Sequence, residues 1–234
     1  MKLNHISLFC VFIITLFSPI KAQDIEVFAD FEAGIPLSSS LKNFHEELAN
    51  QVDFENFETK DNFNYNYGFT FGLRINRKAS IFFSNKVSGA KSSVADYSGF
   101  VRITNEIIGY TFGLEYEIPL MESEKKNLNL GLKGLVTSSN LNLTSASRIL
   151  SAPQSESLEF KSLDFGGAVG INYEYSIGFI TLRAHLDLNV YIGGKLTLKD
   201  DDSGGFLIDQ SGNKVTTSWT GLTGGIGLIV PLYK

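Results

Sequence analysis

The sequence predicts an all-β fold, an eight-stranded antiparallel up-and-down transmembrane β-barrel. Eight segments alternate between apolar and small or polar residues, they are long for strands, and long connections alternate with short ones. Residues 64–75, NYNYGFTFGLRI, show the pattern best, because every odd position is large and apolar and every even position is small or polar. A period of two places the large side chains on one face of a strand.

The same alternation recurs along the chain. In order, the predicted strands are Asp24–Ile35, Asn64–Ile75, Ala79–Gly89, Glu106–Ile118, Leu128–Ser138, Leu163–Tyr175, Phe179–Ile192 and Ser218–Leu232. Their apolar faces include, strand by strand, Phe31, Phe71, Phe83, Phe112, Leu132, Ile171, Leu186 and Leu228. Their opposite faces include, in the same order, Asp30, Thr70, Ser84, Thr111, Lys133, Asn172, Asp187 and Gly227. The segments exceed the roughly five or six residues of a typical strand and match the roughly 9–11 that cross a bilayer.

The polar faces predict the contents of a narrow lumen. They are rich in glycine, which weakens a water-exposed strand but suits a small barrel that encloses little room. They also carry charges of both signs, which must pair with one another or with trapped water. The predicted lumen charge cluster is Arg74, Glu115, Glu117, Lys133, Arg183, His185 and Asp187, and the same face carries Glu26, Asp30, Glu32 and Lys86.

The connections sort by length. Long loops are predicted at 36–63, 90–105, 139–162 and 193–217, and short turns at 76–78, 119–127 and 176–178. This alternation is typical of membrane barrels, whose long loops lie outside and whose short turns face the periplasm. Within the first loop, SLKNFHEELANQ (residues 40–51) has a helical period, so a short helix is expected at the lipid surface or over the barrel mouth.

The apolar faces are therefore expected to contact lipid, with tyrosines at the membrane interfaces. The predicted lipid-facing belt is Tyr65, Tyr67, Phe69, Phe71, Tyr110, Phe112, Tyr116, Tyr173 and Tyr175. A soluble β-sandwich or a lipocalin-like binding barrel is the alternative, since alternation alone fits those folds too.

The N-terminus predicts export. Residues 1–22 have a basic start, a short apolar core and a small-residue cleavage site, as in a secretory signal peptide, which leaves residues 23–234 as one barrel domain. Cleavage would remove Cys10, the only cysteine, so no disulfide is expected. It would also remove two lysines from a chain of net charge −5, which disfavours nucleic acid as a partner.

Three strings give the chain a family resemblance: EAGIPLSSSL (32–41), GYTFGLEYEIPL (109–120) and GGIGLIVPLY (224–233). It resembles small bacterial outer-membrane β-barrels, namely the OmpA transmembrane domain and OmpX, within the porin families, and is similar to PorT-like barrels. The resemblance implies an outer-membrane location and, for PorT, membership of a secretion assembly. Such chains usually end on an aromatic residue, whereas here Lys234 follows Tyr233.

Two features could carry chemistry. His185 and Asp187 lie two apart on one polar face and could serve hydrolysis, but a mid-strand lumen position without a serine motif favours a charge cluster. The acidic loop 199–209 could bind calcium, although its spacing does not fit an EF-hand and favours a solvated loop. No catalytic, cofactor-binding or metal-ligating residue is assigned.

The expected function is that of a non-enzymatic bacterial outer-membrane barrel, without a cofactor, whose long extracellular loops serve surface interaction or envelope integrity. An eight-stranded barrel is filled by its own side chains, which disfavours diffusion of solutes. A narrow solute pore and a PorT-like assembly component are alternatives. The expected partners are outer-membrane lipid and a protein at the extracellular loops, with the chain itself a monomer.

Overall fold

The computed structural model describes residues 25–37, 39–52, 56–97, 99–149, 152–199, 205–217 and 219–232. The predicted signal peptide and the Tyr233–Lys234 ending lie outside these residues. Within them the elements are β1 Ile25–Pro36, α1 Ser40–Asn50, β2 Glu58–Ile75, β3 Ala79–Asp96, β4 Gly99–Glu122, β5 Lys126–Ile149, β6 Ala152–Ile177, β7 Ile180–Gly193, β8 Thr197–Leu198 and β9 Gly221–Pro231.

Eight of the strands close into a ring. Each strand from β1 to β7 pairs antiparallel with the next, β7 pairs with β9, and β9 returns to β1. The two-residue strand β8 lies beside β6 at one end of the ring. The predicted fold class, an eight-stranded antiparallel up-and-down β-barrel, is confirmed.

The register fixes which side chains point outward. Phe31 lies opposite Phe69 on one neighbouring strand and Ile226 on the other. The side chains of all three are 45–68% exposed. Their neighbours in sequence, such as Asp30 and Thr70, are buried. The barrel is thus apolar outside and polar inside, the reverse of a soluble barrel, so the lipocalin-like alternative does not fit.

Two predicted long loops are wrong. Residues 90–105 and 139–162 are mostly strand, with the β3–β4 and β5–β6 connections confined to 97–98 and 150–151. The alternation continues there, but the outward positions on β4 and β5 are polar, mainly arginine, glutamate, asparagine and threonine, so hydropathy missed the strands. The predicted turn 119–127 also shrinks, to 123–125, and β2 begins at Glu58 inside the predicted first loop.

These extensions form a projecting sheet, made of residues 58–62, 90–96, 99–106, 140–149 and 152–160. One row of it runs Asp61, Lys91, Thr104, Thr144 and Ser157 across five paired strands. The sheet rises at the end of the barrel opposite the chain termini, which is called here the loop end. The terminal end carries the turns at 76–78, 123–125 and 178–179.

The largest apolar core lies inside the loop end. Helix α1 buries Leu41, Phe44, His45 and Ala49 there, so it caps the barrel mouth, one of its two predicted positions. Wall residues and the segment after β7 complete the core: Phe63, Ala90, Ile107, Leu141, Phe160, Leu196, Val215 and Trp219. In the described residues, no helix is long and apolar enough to cross a membrane.

Candidate functional site

The lumen near the terminal end is packed with ionisable side chains. The structure places all seven residues of the predicted cluster on the inner wall, and each side chain is nearly or fully buried. Glu26, Asp30, Glu32 and Lys86 join them, as does Glu174, which sequence reasoning left out. The sequence feature that could have identified Glu174 is its position on the polar face of β6, between the outward Tyr173 and Tyr175.

Arg74 on β2 ties four strands together. Its Nε donates to Oε2 of Glu26 on β1 at 2.7 Å, and its Nη1 donates to Glu117 on β4 at 3.3 Å and to Glu174 on β6. Asn129 donates to the same Glu117 oxygen at 3.0 Å. A guanidinium can serve several carboxylates at once because it presents five donors in a plane.

Arg183 on β7 forms a second junction. Its Nη2 lies 2.9 Å from Oε2 of Glu115 and 3.5 Å from Glu117, and its Nη1 lies 3.5 Å from Asp30. The guanidinium also lies 5.0 Å from the centre of the Phe28 ring, within cation–π range. Together the two arginines cross the lumen from wall to wall.

Two lysines extend the network toward the loop end. Nζ of Lys133 lies 2.7 Å from Oδ2 of Asp187 and 3.7 Å from Glu115. Lys86 lies 3.2 Å from Glu32, which also accepts a hydrogen bond from Thr70 at 2.7 Å. The clustered charges thereby partner one another across the lumen, as a dry interior requires.

His185 and Asp187, the predicted hydrolytic candidates, lie inside this network. Nδ1 of His185 is 3.2 Å from Oδ2 of Asp187, and its Nε2 is 3.8 Å from Glu32. Asp187 is already paired with Lys133. Both side chains are buried, and the contacts recorded for them are carboxylates and a lysine rather than a hydroxyl or thiol nucleophile.

Glycines make room for these side chains. Gly225, Gly227 and Gly170 lie directly across the ladder from His185, Asp30 and Asp187 respectively, on neighbouring strands. A Cβ at any of the three would fall within about 2 Å of the side chain opposite. The pattern repeats for larger rings: Gly72 faces Phe28, Gly113 faces Phe82 and Gly166 faces Tyr191. The glycine-rich face therefore accommodates a filled lumen, not an open one.

Two small cavities lie inside the barrel among the described residues. A cavity of about 20 Å³ lies beside Lys86, Lys133 and Asp187, and another of about 10 Å³ lies under α1. The larger has room for about one water molecule. Among the charges, Phe28, Phe82, Leu135 and Ile229 form a small apolar cluster, with Arg183 over the Phe28 ring and Lys133 over the Phe82 ring.

The segment after β7 enters the loop end from above. Trp219 donates from Nε1 to Oγ of Ser139 at 2.8 Å, and Thr217 donates to Asp164 at 2.6 Å. Its Leu196 and Val215 are fully buried in the core at the mouth. We call α1 and residues 194–199, 205–217 and 219 the plug, because together they cover the lumen.

His45 anchors α1 to the wall. Nε2 lies 2.8 Å from Oγ of Ser92 and Nδ1 lies 2.8 Å from Nδ2 of Asn105, and the ring is fully buried, edge-on to Phe63. Burial lowers the pKa of His45 from 6.5 to about 4, against a smaller opposite effect of Asp61. The imidazole is therefore neutral when α1 is docked.

The outer surface carries a continuous apolar belt. Its height can be followed on β4, where outward residues are apolar from Ile108 to Leu120 but become polar at Glu106 and Arg102. That length of tilted strand spans about 30 Å, enough to cross the hydrocarbon layer. The predicted belt residues Tyr65, Tyr67, Phe69, Phe71, Tyr110, Phe112, Tyr116 and Tyr173 are all exposed, and Tyr175 is half-buried.

Nothing in the described residues groups three or more potential metal ligands. Of the acidic loop 199–209, residues 200–204 lie outside the described residues. Asp209, which is described, accepts hydrogen bonds from the backbone and side chain of Asn213 at 2.7 and 3.2 Å, so it stabilises a tight turn.

Comparison with known proteins gives little beyond the fold. No family model matches the chain, and no curated protein matches it. Among solved structures, the outer-membrane protease OmpT from Escherichia coli is similar, at 8% identity with a TM-score of 0.33, covering 93% of this chain and 100% of that one. A likeness this weak supports no argument about family or activity.

Proposed function

We propose that this chain is a non-enzymatic bacterial outer-membrane barrel that is closed to solutes and acts through its projecting sheet and plug at the cell surface. Membrane insertion follows from the apolar belt, since only a closed barrel or a helix satisfies its backbone within lipid. We expect the terminal end to face the periplasm and the loop end the outside, because residues 1–22 resemble an export signal and the short turns of membrane barrels face the periplasm.

The filled lumen is the observation that favours this function over a solute pore. Arg74 and Arg183 bridge opposite walls, and the plug covers the mouth above them. Catalysis by His185 and Asp187 is disfavoured for the same reason, because both are buried below the plug where a lipid or peptide could not reach.

The projecting sheet is the surface best suited to a partner. It presents five ordered strands beyond the belt, ending at the fully exposed Tyr97. A sheet already paired and rigid loses little conformational entropy on binding. We propose a protein partner at this sheet, with outer-membrane lipid around the belt and the barrel itself a monomer.

Site-specific photocrosslinking in intact cells tests the proposal. A photoreactive residue replaces Tyr97 at the tip of the projecting sheet or, as the matched control, exposed Glu124 in a turn at the terminal end. We expect a discrete protein adduct from position 97 that external protease removes, and none from position 124. An adduct from position 124 alone would instead favour a periplasmic, PorT-like assembly role.

A further inference from the structure

A groove of about 560 Å³ interrupts the outer surface of the belt across β6, β7, β9 and β1. It surrounds Ala184, whose small side chain leaves a hollow between larger neighbours. Those neighbours are Phe31, Tyr173, Leu182, Ile226 and Leu228. Its volume lies within the range of pockets that bind small molecules.

The register explains the shape of the groove. Tyr173, Ala184, Ile226 and Phe31 form one outward row across four strands, and a single methyl group in that row separates two large side chains. Leu182 and Leu228 form the next row toward the terminal end. The walls are therefore high, apolar and continuous, while the floor is the backbone around Ala184.

A tyrosine lines the end of the groove nearest the termini, and a lysine lies next to it on the neighbouring strand. Tyr175, which also lines the groove, lies directly opposite Lys126 on β5, and both belong to the outward face. Lys126 is exposed and makes no ion pair among the described residues. A tyrosine hydroxyl and an ammonium group at the membrane interface are suitable partners for a phosphate and its ester oxygens.

We propose that this groove binds one diacyl phospholipid of the periplasmic leaflet, with an acyl chain over Ala184 and the phosphate at Lys126 and Tyr175. The inference rests on the membrane placement of the proposed function. Charge complementarity favours this occupant, because Lys126 beside Tyr175 supplies a cation and the described lining of the groove holds no carboxylate. The position of the groove selects the leaflet, because Tyr175 and Leu182 lie close to the turn at 178–179, at the terminal end.

Native mass spectrometry of the refolded barrel in detergent tests the site, with phosphatidylglycerol added as the probe. We expect one retained lipid per barrel. Ala184→Trp fills the hollow and Lys126→Glu repels the phosphate, and each should weaken retention about tenfold. Ala79→Trp, on the exposed face of β3 away from the groove, and Lys78→Glu, in another turn at the terminal end, are the matched controls.

Two further arms separate the parts of the ligand. Diacylglycerol lacks the phosphate and glycerol 3-phosphate lacks the chains, so both should be retained less than phosphatidylglycerol. Equal retention of phosphatidylglycerol by all variants would overturn the proposal. So would retention of diacylglycerol as strong as that of phosphatidylglycerol. So would a dimer that Ala184→Trp abolishes while lipid retention persists. A heat-dependent gel shift shows independently that each variant is a folded barrel, so loss of the site is distinguishable from loss of membrane insertion.

Discussion

At the residue scale, the lumen is organised around two arginines rather than around His185 and Asp187, the pair that the sequence offered as a hydrolytic candidate. Alternation placed Arg74, Arg183 and their carboxylates on the inner face, so membership of the cluster could be read from the sequence. The pairing could not, because it depends on which strands lie across the lumen and how far each is shifted. Glu174 reaches Arg74 from a position 100 residues away in the chain.

Replacing Arg74 tests the importance of the first junction. Arg74→Gln should lower the free energy of unfolding by about 3–5 kcal/mol, because three buried carboxylates lose their shared cation. Arg77→Gln is the matched control: Arg77 also contacts Glu26, at 3.6 Å, but its side chain is 74% exposed, so about 0–1 kcal/mol is expected. Urea unfolding in detergent micelles measures both, and equal effects would contradict a central role for Arg74.

The inner glycines give a second prediction at this scale. In Gly227→Ala the new Cβ would lie 2.0 Å from Oδ1 of Asp30 and 2.2 Å from the carbonyl oxygen of Ala29. Backbone cannot yield as a flexible side chain can, so a loss of about 1–3 kcal/mol is expected. Gly134→Ala, where nothing lies within 4 Å, should be neutral or stabilising in the same unfolding assay. A neutral Gly227→Ala would show that the wall can relax there.

At the scale of elements, the sequence predicted each barrel strand but misjudged where five of them end at the loop end. Strand ends were read from loss of the apolar face, yet β2 to β6 continue beyond the membrane, where an outward apolar face would be unfavourable. The hydrogen-bonded pairing continues there through polar residues such as Ser92, Asn105 and Thr144, which give no apolar alternation to predict a strand from. Helix α1 was predictable from its period, but its position over the mouth depends on the core beneath it.

The docking of α1 should depend on pH. The pKa of His45 is about 4 when buried, against 6.5 when free, so the undocked state binds more protons between these values. Stability of the docked helix is therefore complete above about pH 6.5 and falls as pH decreases toward 4, by at most about 1.4 kcal/mol per pH unit. Hydrogen-exchange protection factors of α1 amides at pH 7.5 and 5 measure the loss.

His45→Gln is the control for that prediction. Glutamine can still hydrogen-bond Ser92 but does not titrate, so protection of α1 should be weaker at both pH values and the same at each. Protection that falls equally with pH in this variant would point to another titrating group, of which Asp61 is the nearest one that affects His45.

At the scale of the whole molecule, the barrel is sealed twice in series. The charged network spans the lumen near the terminal end, with Phe28 and Phe82 packed among its charges, and the plug fills the mouth at the loop end. The ring closure and the apolar exterior both follow from alternation. The double seal does not, since it arises from side chains of distant strands meeting and from a loop that folds inward.

A planar lipid bilayer tests both seals. The wild-type barrel should give no stepwise conductance, because a charged network and an apolar core each exclude a continuous water path. A variant in which a Gly-Ser linker replaces residues 195–216 loses most of the plug but retains the arginine network, so it should also remain closed. A general diffusion porin in the same bilayer confirms that channels are detectable, and a heat-dependent gel shift confirms that the variant is folded. Conductance in the variant alone would make the plug the only seal, whereas conductance in the wild type would contradict the closed barrel and restore the solute-pore alternative.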